Sequence, residues 1–145
     1  MTLSNLIAKL KIIQQNHPML KTFGEGDIYD YVDNGGEIEY PVLWVVMKPS
    51  TYSGHTMKYR LVLLFADLLT EDKSNRLQLQ SDQLQVALDV IAKLKIDTQY
   101  TFTITDNVVI EMFQERFDDF TAGVTADIEI NDPNPLDKCV IPTIS

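Results

Sequence analysis

Residues 40–67 read YPVLWVVMKPSTYSGHTMKYRLVLLFAD. The first part, Tyr40–Lys48, is apolar on both faces, as expected of a strand buried in the middle of a sheet. A polar loop follows from Pro49 to Gly54. Residues 56–67 then alternate, with Met57, Tyr59, Leu61, Leu63 and Phe65 on one face and Lys58 and Arg60 on the other. Past Arg60 the second face turns apolar as well, at Val62 and Leu64. The pair reads as a long antiparallel hairpin whose base is buried on both sides and whose loop end projects from the body.

Outward from this hairpin, residues 2–15 place Leu3, Leu6, Ile7, Leu10 and Ile13 at helical spacing, with Lys9, Lys11 and Gln14 on other faces. Thr2 or Ser4 can cap that helix, and His17-Pro18 ends it, because a residue before proline avoids the helical region. Residues 21–39 are polar and turn-rich. Asn34-Gly35-Gly36 is a strong turn signal, and the flanking Ile28–Val32 and Glu37–Tyr40 read as two arms of a hairpin.

Downstream, Thr70, Asp72 and Ser74 offer capping oxygens to a main helix over about residues 76–95. Its stripe is Leu77, Leu84, Ala87, Leu88, Ile91 and Leu94, widened by Val86 and Val90. Strands follow. Tyr100, Phe102 and Ile104 alternate with threonines, Val108, Ile110 and Met112 continue the period after an Asp106-Asn107 turn, and Val124, Ala126, Ile128 and Ile130 form the clearest run. The tail, Asn131–Ser145, ends in a short apolar strand at Cys139–Pro142. The order predicts an α+β fold in a single domain over 1–145: an antiparallel sheet with both helices packed on one face.

The chain has 145 residues, 45% of them hydrophobic, with 12 basic and 21 acidic side chains and a net charge of −9. That balance argues against a surface built to grip nucleic acid. A single cysteine, Cys139, excludes an internal disulfide framework. The N-terminus lacks the basic start and small-residue cleavage site of a secretory signal. The longest apolar runs, Val42–Met47 and Leu61–Ala66, are far too short to span a membrane, so a protein without a membrane phase is expected.

The residues that carry chemistry elsewhere do not assemble into a motif here. Phe23-Gly24-Glu25-Gly26-Asp27 starts like a dinucleotide loop, but it lacks the third glycine and carries two carboxylates that would repel a pyrophosphate. His17 and His55 have no ligand at metal spacing, and Cys139 lies among apolar neighbours. Glu115, Asp118 and Asp119 cluster, as do Asp132 and Asp137, which read as a solvated acidic surface. No catalytic, cofactor-binding or metal-binding residue is assigned, and no enzyme activity is expected. Phe113, Phe117 and Phe120 interleave with charges and read either as core or as subunit contacts. Tyr52 and Lys48, on the loop-end half of the long hairpin, are the other candidate interface residues, since an unpaired strand edge suits pairing between neighbours.

Several short stretches, in order, also resemble a known group. These are Glu39-Tyr-Pro-Val-Leu-Trp-Val, Lys48-Pro-Ser-Thr-Tyr-Ser, Tyr59-Arg-Leu-Val, Phe65-Ala-Asp-Leu, Ser81-Asp-Gln-Leu-Gln, Phe113…Glu115-Arg-Phe-Asp-Asp…Ala122-Gly-Val and Cys139-Val-Ile-Pro. Together they look like neck or tail-completion proteins of tailed bacteriophages, similar to the tail terminator family, and most like those of crAss-like and other Bacteroidetes-infecting phages. The likeness runs from about residue 20 to residue 142. It implies a structural virion protein, made in the host cytoplasm, forming a homo-oligomeric ring of on the order of six or twelve copies between portal and tail tube. Its partners would be further copies of itself and the neighbouring portal-side and tail ring proteins. DNA would pass through an acidic lumen without specific binding, because a ring multiplies the charge of each subunit into a field that repels phosphates. The alternative is a small acidic adaptor acting as a monomer or dimer. An enzyme using Glu115, Asp118 or Asp119, with or without a divalent metal, is the third reading.

Overall fold

A computed structural model describes residues 3–27, 38–70, 72–98, 102–105, 107–114 and 121–133, with the side chains of 97 and 98 excepted. Helix α1 (Leu3–Asn16) leads into strand β1 (Thr22–Glu25), then the hairpin β2 (Val42–Ser53) and β3 (Thr56–Leu68). Helix α2 (Arg76–Thr98) follows, and strands β4 (Thr103–Ile104), β5 (Val109–Gln114) and β6 (Thr121–Asp132) complete the order. The α+β expectation holds. The expected 28–40 hairpin arms and the Cys139–Pro142 strand fall largely or wholly outside the described residues.

The strands form one sheet in the order β1-β2-β3-β6, with β4 and β5 taking successive stretches of the far edge of β6. It is mixed, which corrects the antiparallel expectation: β1 lies parallel to β2, Thr22 opposite Val42 and Glu25 opposite Val45. The reason is local. The amide of Lys21 bonds the carbonyl of Pro41 at 2.8 Å, so β1 and β2 enter the sheet from the same end and must run the same way. The sequence TFGE shows no alternation and contains a glycine, so it carries little strand signal. Gly24 is required because the indole of Trp44 lies over it; a Cβ there would run into the ring. The Trp44 Nε1 then donates to the Gly26 carbonyl at 2.9 Å, closing the corner where β1 leaves the sheet.

The hairpin forms, but the expected Pro49–Gly54 loop is corrected: β2 continues, with a bulge between Lys48 and Thr51, to Ser53, which pairs with Thr56, and only Gly54 and His55 make the turn. It does not stand alone. Strand β6 pairs with β3 along the whole length, from Met57 opposite Asp132 to Leu68 opposite Thr121. The projecting hairpin is therefore the distal wing of a wider sheet, and it is the outer edge of β2 beyond Val45 that has no strand beside it among the described residues.

Both helices pack on one face of the sheet. Leu6, Leu10 and Ile13 of α1 and Val86, Ala87, Val90, Ile91 and Leu94 of α2 meet Leu43, Val45, Leu61, Leu63, Phe65 and the Val124–Ile130 run in one buried cluster. The odd-numbered positions of β3 and the even-numbered positions of β6 supply this face. His17 joins the helices: its Nδ1 accepts from the Met19 amide at 3.2 Å, so the ring proton sits on Nε2, which reaches Asp89 Oδ2 of α2 at 3.2 Å. Gln14, expected on an outer face, is buried and donates to the Leu20 carbonyl at 3.1 Å, tying down the chain as it leaves α1.

The stripe of α2 is shifted from the expected one. Leu77 and Leu88 are 70% and 45% exposed, while Leu79, Gln80 and Gln83 face inward. Gln80 is held between Arg76 Nη1 (2.9 Å) and the Phe113 carbonyl (3.0 Å). Gln83, 1% exposed, has no hydrogen-bond partner for either amide atom among the described protein groups. Burying an amide without partners costs about 1–3 kcal/mol. Gln83→Met, of similar length and volume, is expected to raise the unfolding free energy by about 1 kcal/mol in urea titration; a loss of stability would show that the amide is satisfied.

Candidate functional site

Among the described residues no helix or strand packs over the face of the sheet away from the helices. Near the base it carries a small apolar cluster of Val42, Trp44, Leu64, Ala66 and Phe113, backed by Ile38, Tyr40 and Val46. Beyond that cluster the same rows become charged. Pairing puts Lys48 opposite Arg60, Arg60 opposite Glu129, and Val62 opposite Asp127, so these side chains share the open face. Glu111 of β5 joins them opposite Thr125.

The charges are sorted by strand. Lys48, Lys58 and Arg60 stand on β2 and β3, and Asp127, Glu129 and Glu111 on β6 and β5. The inner members neutralise one another across the β3–β6 boundary: Arg60 to Asp127 at 3.2 Å, and Arg60 and Lys58 to Glu129 at 3.9 Å each. All are more than a third exposed at the side chain, so each pair contributes only about 0–1 kcal/mol. Lys48 and Glu111, one strand further out on either side, belong to no such ion pair among the described residues. They rim a depression of about 210 Å³ floored by Val62 and Thr125.

The candidate interface residues separate. Lys48 and Tyr52 are exposed on the outer half of β2, Tyr52 at 53%. Phe113 is 7% exposed and packed beside Trp44 and Leu64, so its ring serves the subunit's own interior. Of the two readings of Phe113, its burial supports core packing: β5 lies on β6 with Phe113 opposite Gly123, where there is no side chain to compete for the space. Phe117 and Phe120 lie outside the described residues, as do Glu115, Asp118, Asp119, Asp137 and Cys139. Among the described residues no group of three His, Cys, Asp or Glu side chains is placed to hold a metal ion, and no helix is long and apolar enough to cross a membrane.

Sequence reading put Lys58 and Arg60 on one strand face but missed their relation to Asp127, Glu129 and Glu111. The alternation was visible in each strand; which strands are neighbours, and in what register, was not.

At the distal end, on the helix side, Tyr59 lies opposite Ile130, and Asp132 lies opposite Met57 with 2% exposure. Burial, and then the charge of Asp132, push the Tyr59 hydroxyl above its ordinary titration range. An acid whose folded pKa is raised keeps its proton longer in the native state. Its contribution to stability is complete below about pH 10 and is lost as pH climbs through the folded value. Thermal melts across the alkaline range are expected to show a fall in Tm that Tyr59→Phe reduces. An identical fall in the variant would assign it to other groups.

A search against protein-family models and a search of curated proteins found no match to this chain.

Proposed function

We propose that this chain is a structural protein of a tailed-bacteriophage virion, forming a homo-oligomeric ring at the neck or tail between portal and tail tube. The observation that carries the reading is the distal wing of the sheet. There β2, β3 and β6 extend as a broad surface that offers exposed residues, Met47, Lys48 and Tyr52 among them, with no helix or strand covering the outer edge of β2 among the described residues. Such a surface suits docking between copies or onto a neighbouring ring. The ordered set of motifs described above supports the same reading.

The charge layout refines it. On the open face Lys48, Lys58 and Arg60 offset Glu111, Asp127 and Glu129, so an acidic lumen has to be lined by another part of the chain, where the net −9 resides. Light scattering across concentration, with negative-stain images, tests the ring: closed particles of one size are expected, alone or on addition of portal. A strict monomer that also fails to bind portal and tail components in a pull-down would overturn the reading in favour of the acidic adaptor.

A further inference from the structure

We propose that copies of this chain join head to tail through a specific junction, the outer edge of β2 (residues 46–50) against the outer edge of β5 (residues 109–113) of the next copy. This deepens the ring reading, on which closure of the assembly rests.

Direction is the starting point. Strand β2 is antiparallel to β3, β3 to β6, and β6 to β5, so β5 runs opposite to β2. A second copy in the same orientation, set beside β5, presents its β2 for antiparallel pairing without being turned over. The lane is open on both sides among the described residues. Strand β1 pairs with the flank of β2 as far as Val45, whose carbonyl also takes the Gly26 amide at 3.0 Å, and Gly26, at φ 92°, leaves the strand conformation. Among the described residues the outer flank of β5 carries no strand.

Complementarity selects the register. With Glu111 opposite Lys48, the two charges left over on the open face meet across the junction and complete the sorted rows of cations and anions. The same antiparallel register sets Met112 opposite Met47 on the helix side, and these are 52% and 36% exposed in the single copy. One register therefore closes an ion pair on one face and covers an apolar pair on the other. Lys48, Pro49 and the bulge before Thr51 blunt the β2 edge against indiscriminate pairing, which leaves charge to choose the partner.

The register also implies geometry. Within one copy Glu111 lies level with Trp44, through Thr125 and Leu64, so setting it against Lys48 is a stagger of four residues (48 − 44). An even stagger keeps each side chain on its own face. Four residues are about 13 Å along the strand, against about 19 Å for the four lanes from one β2 to the next. The resulting tilt, about 35°, falls in the range of about 35–45° at which staggered sheets close on themselves.

The test is a charge exchange followed by sedimentation across protein concentration at low salt. Wild type is expected to associate. Lys48→Glu alone and Glu111→Lys alone are each expected to move the association midpoint about tenfold or more to higher concentration, with circular dichroism unchanged. Neither charge is ion-paired among the described residues, and both are exposed, so each single variant is expected to keep its fold. An equimolar mixture of the two variants is expected to regain wild-type association, because every junction in an alternating chain then pairs opposite charges. Association of wild type that neither reversal weakens would overturn this junction while leaving the ring reading in place. Single variants that weaken but are not rescued by mixing would also overturn it. A wild type that stays monomeric at every concentration overturns the junction, and the portal pull-down then decides the ring reading separately.

Discussion

Gly123→Ala, the addition of one methyl group, is expected to destabilise the protein by about 3 kcal/mol or more, read as a fall in the urea midpoint at constant slope. Gly123 lies opposite Ala66 in the β3–β6 ladder. A Cβ at this position would land on the carbonyl oxygen of Phe65, which is backbone in the middle of the sheet and has no rotamer to yield. Relief requires the two strands to separate locally, near the Leu68–Thr121 end of the long β3–β6 pairing. Gly54 supplies the control. It sits at the hairpin tip with φ 59° and open space around it, so Gly54→Ala meets only the conformational cost of a left-handed residue, about 1–2 kcal/mol. Equal losses at the two sites would show that the close approach at Gly123 is relieved without cost.

Phe65→Ala should cost about 3–5 kcal/mol by the same measurement. Phe65 is fully buried and is the largest such side chain among the described residues. It stands on the helix side of β3, in the cluster that joins α1, α2 and the sheet, so the space it vacates is walled by three elements that cannot all collapse into it. Phe65→Leu, which keeps most of the volume, should recover more than half of the loss. Because Phe65 and Gly123 belong to neighbouring cross-strand pairs, the double substitution is expected to cost less than the sum.

Where periodicity was strong, the sequence reading and the structure agree. Val124, Ala126, Ile128 and Ile130 alternate and form the helix-side row of β6; Leu6, Leu10 and Ile13 recur at helical spacing and form the buried stripe of α1. Where the stabilising partner is distant in sequence, reading fails for a physical reason. TFGE becomes a strand because β2 offers it an edge and Trp44 a glycine-sized space, neither of which is visible in those four residues. Phe113 alternates with charges like an interface residue, and its burial depends on Gly123 lying across from it. Leu77 fits the helical stripe by spacing, but α2 meets the sheet rotated toward Gln80 and Gln83, a choice made by tertiary packing over hydrophobicity. The open face was legible as alternating charges strand by strand. Its sorting into a cationic and an anionic half depends on register alone, and so does the junction inferred from it.

The placement of β6 has a consequence for how the chain comes to be folded during synthesis. This strand is made after every other described element, yet it sits inside the sheet, joining β3 to β4 and β5. Until residues 121–132 emerge from the ribosome, β3 shows a bare apolar flank and β5 has nothing to pair with. The first contact that stitches the halves together must close a loop of more than fifty residues, from Leu68 to Thr121, an entropic delay typical of sheets built from distant strands. The nascent chain therefore passes through an interval in which the β2–β3 hairpin is complete but the β6 side of β3 is unpaired. In a cell making many copies at once, that interval is when two unfinished chains are most apt to pair with each other instead of each with its own last strand.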